Sequence, residues 1–519
     1  MGVHAKGRVR QSGLRWIGIA LATLMLTGVV SNGQEGPEPV PLRVLIVGGG
    51  PEVSHNQVAI ESNVRYVGKL LPKGSRQTTL FADGDPKHDT VLYMDDLEAM
   101  SPEHRVLTLL MQGSDSDFNQ TLQLRKPNLG ASLDGPSKQE SIATAFQKIS
   151  QENDPLSRSL LIYFTGHGSP NNRDRDNNVY DLWGKGENLS VRELARQIGK
   201  LPETRPVAIV MVQCFSGAFG NLIFEGGDPS APTTARDFAG FFATTADRVA
   251  AGCTPALNEA DYHDFTSYFF AALTGRDRQG RTVLGADYDG DGHVGMNEAY
   301  CYTLIHDASI DVPVCTSDVF LRRFVPAKDE EVFQERYGRV LTWATAAQRA
   351  ALEALSEDLH LTGENRLTTA HDHVFKPLTQ EASQAHRQAI QRFRSLRQEQ
   401  RKALYRRWPD LRIAEGIAYE KLRKEALTEI ANGLKEGRWQ DLLDAYADTV
   451  KTMNAEERAD VAQAHELRFV RLAKSIILAH RLQQTGDADT KARYARLLES
   501  EGRTWLPFLA GQKAALAAH

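Results

Sequence analysis

Leu160-Leu161-Ile162-Tyr163-Phe164-Thr165-Gly166-His167-Gly168-Ser169 reads as a strand buried on both faces that runs straight into a histidine flanked by glycines. Five consecutive apolar residues, β-branched and aromatic among them, leave no solvent-facing side, which is the signature of a central strand in a parallel sheet. The flanking glycines give the imidazole room beside a substrate backbone. A second stretch has the same form: Val207-Ala208-Ile209-Val210-Met211-Val212-Gln213-Cys214-Phe215-Ser216-Gly217 is an apolar strand ending on a cysteine in a small-residue turn.

Outward from these two, short apolar runs at Val44–Val47, Leu107–Met111 and Phe238–Ala243 read as further strands. Between them, Ser62–Leu71, Lys138–Ser150 and Ser190–Ile198 carry apolar residues at helical spacing. The alternation predicts an α/β fold over residues 42–325, a mostly parallel sheet flanked by helices. After Pro326 the composition shifts to long charged stretches, Gln391–Arg407 and Asn454–Gln484 among them, with apolar residues every three or four positions. An all-α C-terminal region over residues 330–519 is expected, with Pro377 and Pro409 at helix ends.

At the N-terminus, His4, Lys6, Arg8, Arg10 and Arg15 precede the apolar run Trp16–Val30 and then Ser31-Asn32-Gly33. That is the layout of a signal peptide over residues 1–33, followed by a linker at 34–41. The run is short for a bilayer-spanning helix, so a secreted or periplasmic chain without a stable membrane span is expected. The 519 residues carry a net charge of −5 with 41% hydrophobic composition, which describes two or three globular domains and not a polyanion binder. The basic stretch Arg392–Arg407 is accordingly read as a solvated helix face, with no nucleic-acid partner. Gly48-Gly49-Gly50 after the first strand imitates a dinucleotide fingerprint, but Val53 stands at the third glycine position and no acid follows at the required distance. The glycines are read as a tight turn.

The chemistry rests on His167 and Cys214. Both emerge at the C-terminal edge of the sheet, where open α/β proteins bind ligands, and they are 47 residues apart. An imidazole beside a thiol can take its proton and release the nucleophilic thiolate. The backbone N–H groups of Gly168 and Cys214 are placed to hold an oxyanion. If Cys214 is a free nucleophile, Cys253, Cys301 and Cys315 form at most one disulfide, and the sequence leaves the pairing open.

A His-Gly turn after one strand and a Cys, a small residue and Gly after the next resemble the peptidase clan of caspases, metacaspases, legumains and gingipains. The legumain branch is nearest, since Phe242-Ala243-Thr244-Thr245-Ala246 resembles its strand after the nucleophile and Tyr180-Asp181-Leu182 sits where it has a hairpin after the histidine. The resemblance covers residues 42–275. It implies a caspase-like sheet and peptide-bond hydrolysis through an S-acyl enzyme, with His167 as general base, Cys214 as nucleophile and Gly168 as an oxyanion donor. Asp264 resembles an acid that lines the family's primary pocket, and Asp247 is a second candidate for holding a basic substrate side chain. Where legumains carry an acid two residues before the cysteine, this chain has Val212, and their Arg-His pair is matched only by His55-Asn56. Legumains also carry a helical C-terminal prodomain, so residues 330–519 are expected to regulate or target the enzyme, and their removal to raise activity. A transpeptidase of the same fold and a catalytically silent, calcium-stabilised interaction protein are the alternatives.

Asp287-Tyr288-Asp289-Gly290-Asp291-Gly292-His293-Val294-Gly295-Met296-Asn297-Glu298 fits the twelve-residue EF-hand loop. Asp287, Asp289, Asp291, the His293 carbonyl and a bidentate Glu298 would wrap Ca2+, with Gly292 at the sharp turn. No entering helix precedes the loop, so a structural ion is expected and none is required for the chemistry.

Overall fold

Strand propensity and burial produce one sheet. A computed structural model describes residues 41–94, 100–111, 122–129, 132–152, 159–374, 380–412 and 416–503. The signal peptide read over residues 1–33, most of the 34–41 linker, and Pro377 lie outside them. The strands are β1 (Arg43–Gly49), β2 (Arg76–Phe81), β3 (Val91–Met94), β4 (Leu122–Arg125), β5 (Leu160–Ser169), β6 (Val179–Asp181), β7 (Asn188–Ser190), β8 (Val207–Met211), β9 (Phe238–Phe242) and β10 (Val314–Cys315). The main sheet runs β10-β9-β8-β5-β1-β2, parallel except for the antiparallel edge strand β10. A β6–β7 hairpin extends the end of β5, and β3 and β4 form a separate two-stranded ribbon.

Helices cover both faces, as a sheet buried on both sides demands. Within the first 325 residues these are α1 (Val58–Lys69), α2 (Pro102–Met111), α3 (Gln139–Gln151), α4 (Val191–Ile198), α5 (Phe265–Thr274), α6 (Met296–His306) and α7 (Thr316–Phe324). Ser190 and Glu193 form a reciprocal capping box that starts α4. One face of the sheet packs on α3, α4 and α7, the other on α1, α5 and α6. Strand residues divide between these faces by the two-residue period: Ile162, Phe164, Ile209 and Met211 on the first, Leu161, Tyr163, Ala208 and Val210 on the second.

The run Leu107–Met111, expected as a strand, is helical. Ser101-Pro102 starts the helix, and Val106, Leu107, Leu109 and Leu110 turn one face into a cluster with Phe393, Leu404, Ile430 and Leu442. A short apolar run has no decisive period of its own, and packing against helices some 300 residues away settled it. β2 has the opposite history: its exposed start, Arg76-Gln77, hid a strand that pairs with β1 throughout.

The C-terminal region is helical: α8 (Asp329–Val332), α9 (Tyr337–Trp343), α10 (Ala346–Asp358), α11 (Arg366–Val374), α12 (Gln380–Arg407), α13 (Gly416–Lys435), α14 (Gln440–Thr485) and α15 (Ala488–Glu501). It is not a detached lobe, for residues from Pro39 on cluster as one compact unit. Leu478, Leu482 and Tyr494 belong to the same core cluster as the sheet. Glu501, buried at the end of α15, accepts hydrogen bonds from Thr316 Oγ1 and Ser317 N at 2.7 Å each. No helix among the described residues is long and apolar enough to cross a membrane.

Candidate active site

The parallel ladder between β5 and β8 pairs Leu160 with Val207 and keeps that offset of 47 to Phe164 and Met211. His167 and Cys214 stand three residues beyond the last pair, His167 at the end of β5 where it pairs with β6, and Cys214 in the turn after β8. Adjacent strands lie about 4.8 Å apart, so the turns that carry the two residues open at the same edge of the sheet.

Backbone strain marks the turn after Cys214. Phe215 has φ 60° and ψ 18°, a left-handed conformation that costs a non-glycine residue about 1 kcal/mol. Its N–H donates to the Arg248 carbonyl at 2.8 Å. A Cβ on Gly217 would lie 2.7 Å from the Thr244 carbonyl oxygen, and one on Gly168 would lie 2.4 Å from that of Cys214. Only glycine allows these approaches, so the turns at His167 and Cys214 are pressed against their neighbours by residues that could carry nothing larger.

The thiol of Cys214 is half-buried. Its Sγ accepts from Ala250 N–H at 3.3 Å and faces the Ala250 carbonyl at 3.8 Å. Burial raises its pKa above the ordinary thiol value, with Asp311 and Asp181 adding to the rise. Burial pushes the His167 imidazole the other way, to a pKa of about 4, with the neighbouring His55 contributing. Both shifts favour the uncharged forms, a neutral thiol and a neutral imidazole.

A residue absent from the sequence reading orients that base. Gln57 Oε1 accepts from His167 Nε2 at 3.0 Å, which places the ring proton on Nε2 and leaves Nδ1 as the basic nitrogen. Gln57 is the N-cap of α1, and the loop before it is anchored by buried Asn56, whose amide accepts from Gly50 N at 3.2 Å and donates to the Thr90 carbonyl at 2.8 Å. The same loop presents His55, whose ring stands edge-on to His167 at 5.6 Å between centroids. Glu52 and Ser54 hold His55 Nδ1 at 3.2 and 2.9 Å. Gln57→Ala is expected to lower kcat on the order of tenfold with KM nearly unchanged. Gln57→Glu should raise the acid limb of the pH profile by placing a carboxylate on the imidazole. A pH profile identical to wild type in Gln57→Glu would remove Gln57 from this role.

Asp181, also outside the candidate set, stands directly across the β5–β6 ladder from His167 and accepts from Ser169 Oγ at 2.7 Å. Burial raises its pKa. The visible signal was the hairpin itself, whose antiparallel return brings its first strand alongside the histidine.

The two acids expected in a substrate pocket part company. Asp264 is 1% exposed and caps α5, accepting from Ser267 N at 2.8 Å and from Asn63 Nδ2 at 3.0 Å, with Arg278 3.5 Å away. Its charge is matched inside the protein, where it acts as a helix cap; an acid immediately before an apolar helical run was the available signal. Asp247 lies on the exposed turn after β9, where Thr245 Oγ1 donates to it at 2.5 Å, and is open to a substrate side chain. All four cysteines are free thiols, so none of the pairings left open among Cys253, Cys301 and Cys315 is formed.

The loop 287–298 brings three of its expected ligands together. One oxygen from each of Asp287, Asp289 and Asp291 lies within 4.8 Å of the others. Asp287 accepts from Gly290 N and Gly292 N at 2.8 and 2.9 Å, and both glycines are left-handed. Three carboxylates so close repel one another unless a cation neutralises them, and hard oxygen donors suit Ca2+. Glu298 is placed differently from the expected bidentate ligand: its carboxylate accepts from Tyr288 N, Asp289 N and Gly295 N at 2.8, 3.2 and 3.0 Å. His293 N–H is held by Asp291 at 2.7 Å.

No protein-family model matches this chain, and no curated protein matches it.

Proposed function

We propose that the chain is an exported cysteine endopeptidase with a caspase-like catalytic domain, in which His167 and Cys214 hydrolyse peptide bonds through an S-acyl enzyme. The observations that support this reading are the β5–β8 ladder, whose last pair stands three residues before His167 and Cys214, and the close approach of Gly168 to the Cys214 carbonyl in the turns that follow. A substrate carbonyl carbon is attacked by Cys214 Sγ as His167 Nδ1 takes the thiol proton. The oxyanion is held by the N–H groups of Gly168 and Cys214, and the imidazolium returns its proton to the leaving amine. Water, deprotonated by the same imidazole, then releases the acid.

The pH dependence has a definite sign. His167 works as a base only when neutral, so kcat/KM should be lost as pH falls through about 4, where burial holds its pKa. An acid limb near the ordinary histidine value would contradict a buried His167 base.

In this reading a calcium ion would be held by Asp287, Asp289, Asp291 and the His293 carbonyl, and would neutralise the acidic loop that precedes α6. Calcium is expected to raise the melting temperature by several degrees, and Asp289→Ala to abolish that shift. A melting temperature indifferent to calcium would make the loop a metal-free turn.

The function is tested by incubating the purified chain with a peptide pool randomised at the residue before the scissile bond and identifying products by mass. Cleavage with one residue enriched at that position supports the reading. Products joined to an added amine would move it to a transpeptidase, and intact peptides to an interaction protein.

A further inference from the structure

Arg468, on α14, is wholly buried. Its guanidinium donates to the carbonyls of Asp311, Asp307 and Ser309 at 2.8, 2.5 and 2.9 Å, and lies 3.6 Å from the Asp307 carboxylate. These bonds clasp the loop between α6 and β10 from inside. The clasped loop presents Asp311, itself fully buried, whose carboxylate accepts from Ala251 N at 2.7 Å and from Phe265 N at 3.2 Å. Ala251 N–H and the Ala250 carbonyl belong to one planar peptide unit. The preceding N–H, that of Ala250, is the group aimed at Cys214 Sγ.

We propose that Asp311, held by Arg468, is a positioning residue that fixes the Ala250–Ala251 peptide so that Ala250 N–H stabilises the Cys214 thiolate. The inference rests on the cysteine-peptidase reading only for its effect on turnover; the thiolate itself is measurable without a substrate. Helix α14 is thereby part of the active-site frame. It also passes the neighbouring turn, where Asp460 lies within electrostatic reach of Arg248, the residue whose carbonyl holds Phe215.

Charge and position make opposite predictions, which renders the test decisive. The titratable groups that act on Sγ are Asp181 from β6, Cys253 from the segment after β9, and Asp311 from the loop before β10, with His167 at the end of β5 carrying His55 edge-on to its ring. Burial and the neighbouring Asp307 hold the Asp311 carboxyl's pKa well above its ordinary value, and whenever it is ionised its charge disfavours the thiolate, so a purely electrostatic role would leave alkylation of Cys214 unchanged or faster on its removal. As a positioning residue it favours the thiolate, so removing it slows alkylation. Asp311→Asn keeps the shape but can accept with only one oxygen. The measurement is the rate of iodoacetamide labelling of Cys214 against pH, localised by peptide mapping of the full-length chain.

Asp311→Asn is expected to slow labelling at neutral pH about tenfold, equivalent to a thiol pKa raised by about one unit. Arg468→Lys, which keeps the charge but loses the fork, should move it the same way by less. Asp318→Asn removes a buried carboxylate paired with Arg322 and Arg471 and not connected to the thiol, and should leave labelling unchanged. On peptides, Asp311→Asn should lower kcat about tenfold with KM within about twofold. Labelling that is unchanged or faster in folded Asp311→Asn overturns the proposal whatever the turnover. Slowed labelling in a chain whose wild type cuts no peptide keeps the positioning and removes the peptidase reading.

Discussion

Cys214→Ala is expected to reduce peptide hydrolysis on the order of a thousandfold or more, because no other group in the site can form the acyl intermediate. The second thiol near the site, Cys253, does not substitute for it: its Sγ is directed at the Gly166 carbonyl at 3.6 Å, and burial holds its pKa far above the ordinary thiol range. His167→Ala should cost a similar factor without further loss in the double variant, since base and nucleophile act as one unit. Neither change removes a core contact, so both proteins should melt close to wild type. Measured by steady-state cleavage of the best peptide from the randomised pool, an active Cys214→Ala would end the account of this nucleophile.

Removing residues 330–519 is expected to abolish the folded protein, and not to raise activity as a helical prodomain would imply. Phe469, Ile476, Ile477, Leu478, Leu482 and Tyr494 are buried side chains of α14 and α15, shared between the sheet core and the cluster that covers α6. At roughly 2 kcal/mol per buried large apolar side chain, their loss is comparable to the whole stability of a typical domain, about 5–15 kcal/mol. Arg468 would leave Asp307 and Asp311 as buried carboxyls without their cation. Solubility and amide hydrogen exchange of the truncated chain test this, and a soluble truncation with full sheet protection and turnover would overturn it.

What the sequence disclosed follows from where the physics was local. β5 and β8 announced themselves because five apolar residues in a row suit only a strand buried on both faces, and the glycines around His167 marked the turn. The acidic loop was legible because Asp287, Asp289, Asp291 and Gly292 each satisfy a fixed position. Other features depend on contacts between distant segments. Leu107–Met111 became helical by packing on α12 to α14, Gln57 meets His167 across 110 residues, and Arg468 reaches the site from a helix 157 residues beyond Asp311. The cap role of Asp264 was local too, since an acid before Phe265-Thr266-Ser267 is a helix cap by its own logic.

The measurement closest to the central claim is intact-protein mass spectrometry of the chain quenched in acid during turnover of a cleavable peptide. The account predicts an adduct with the mass of the acyl fragment, localised to Cys214, absent from Cys214→Ala and from wild type without peptide. Cleavage that proceeds with Cys214 unmodified and equally in Cys214→Ala, or a folded chain that neither forms the adduct nor cuts the peptide, would contradict it.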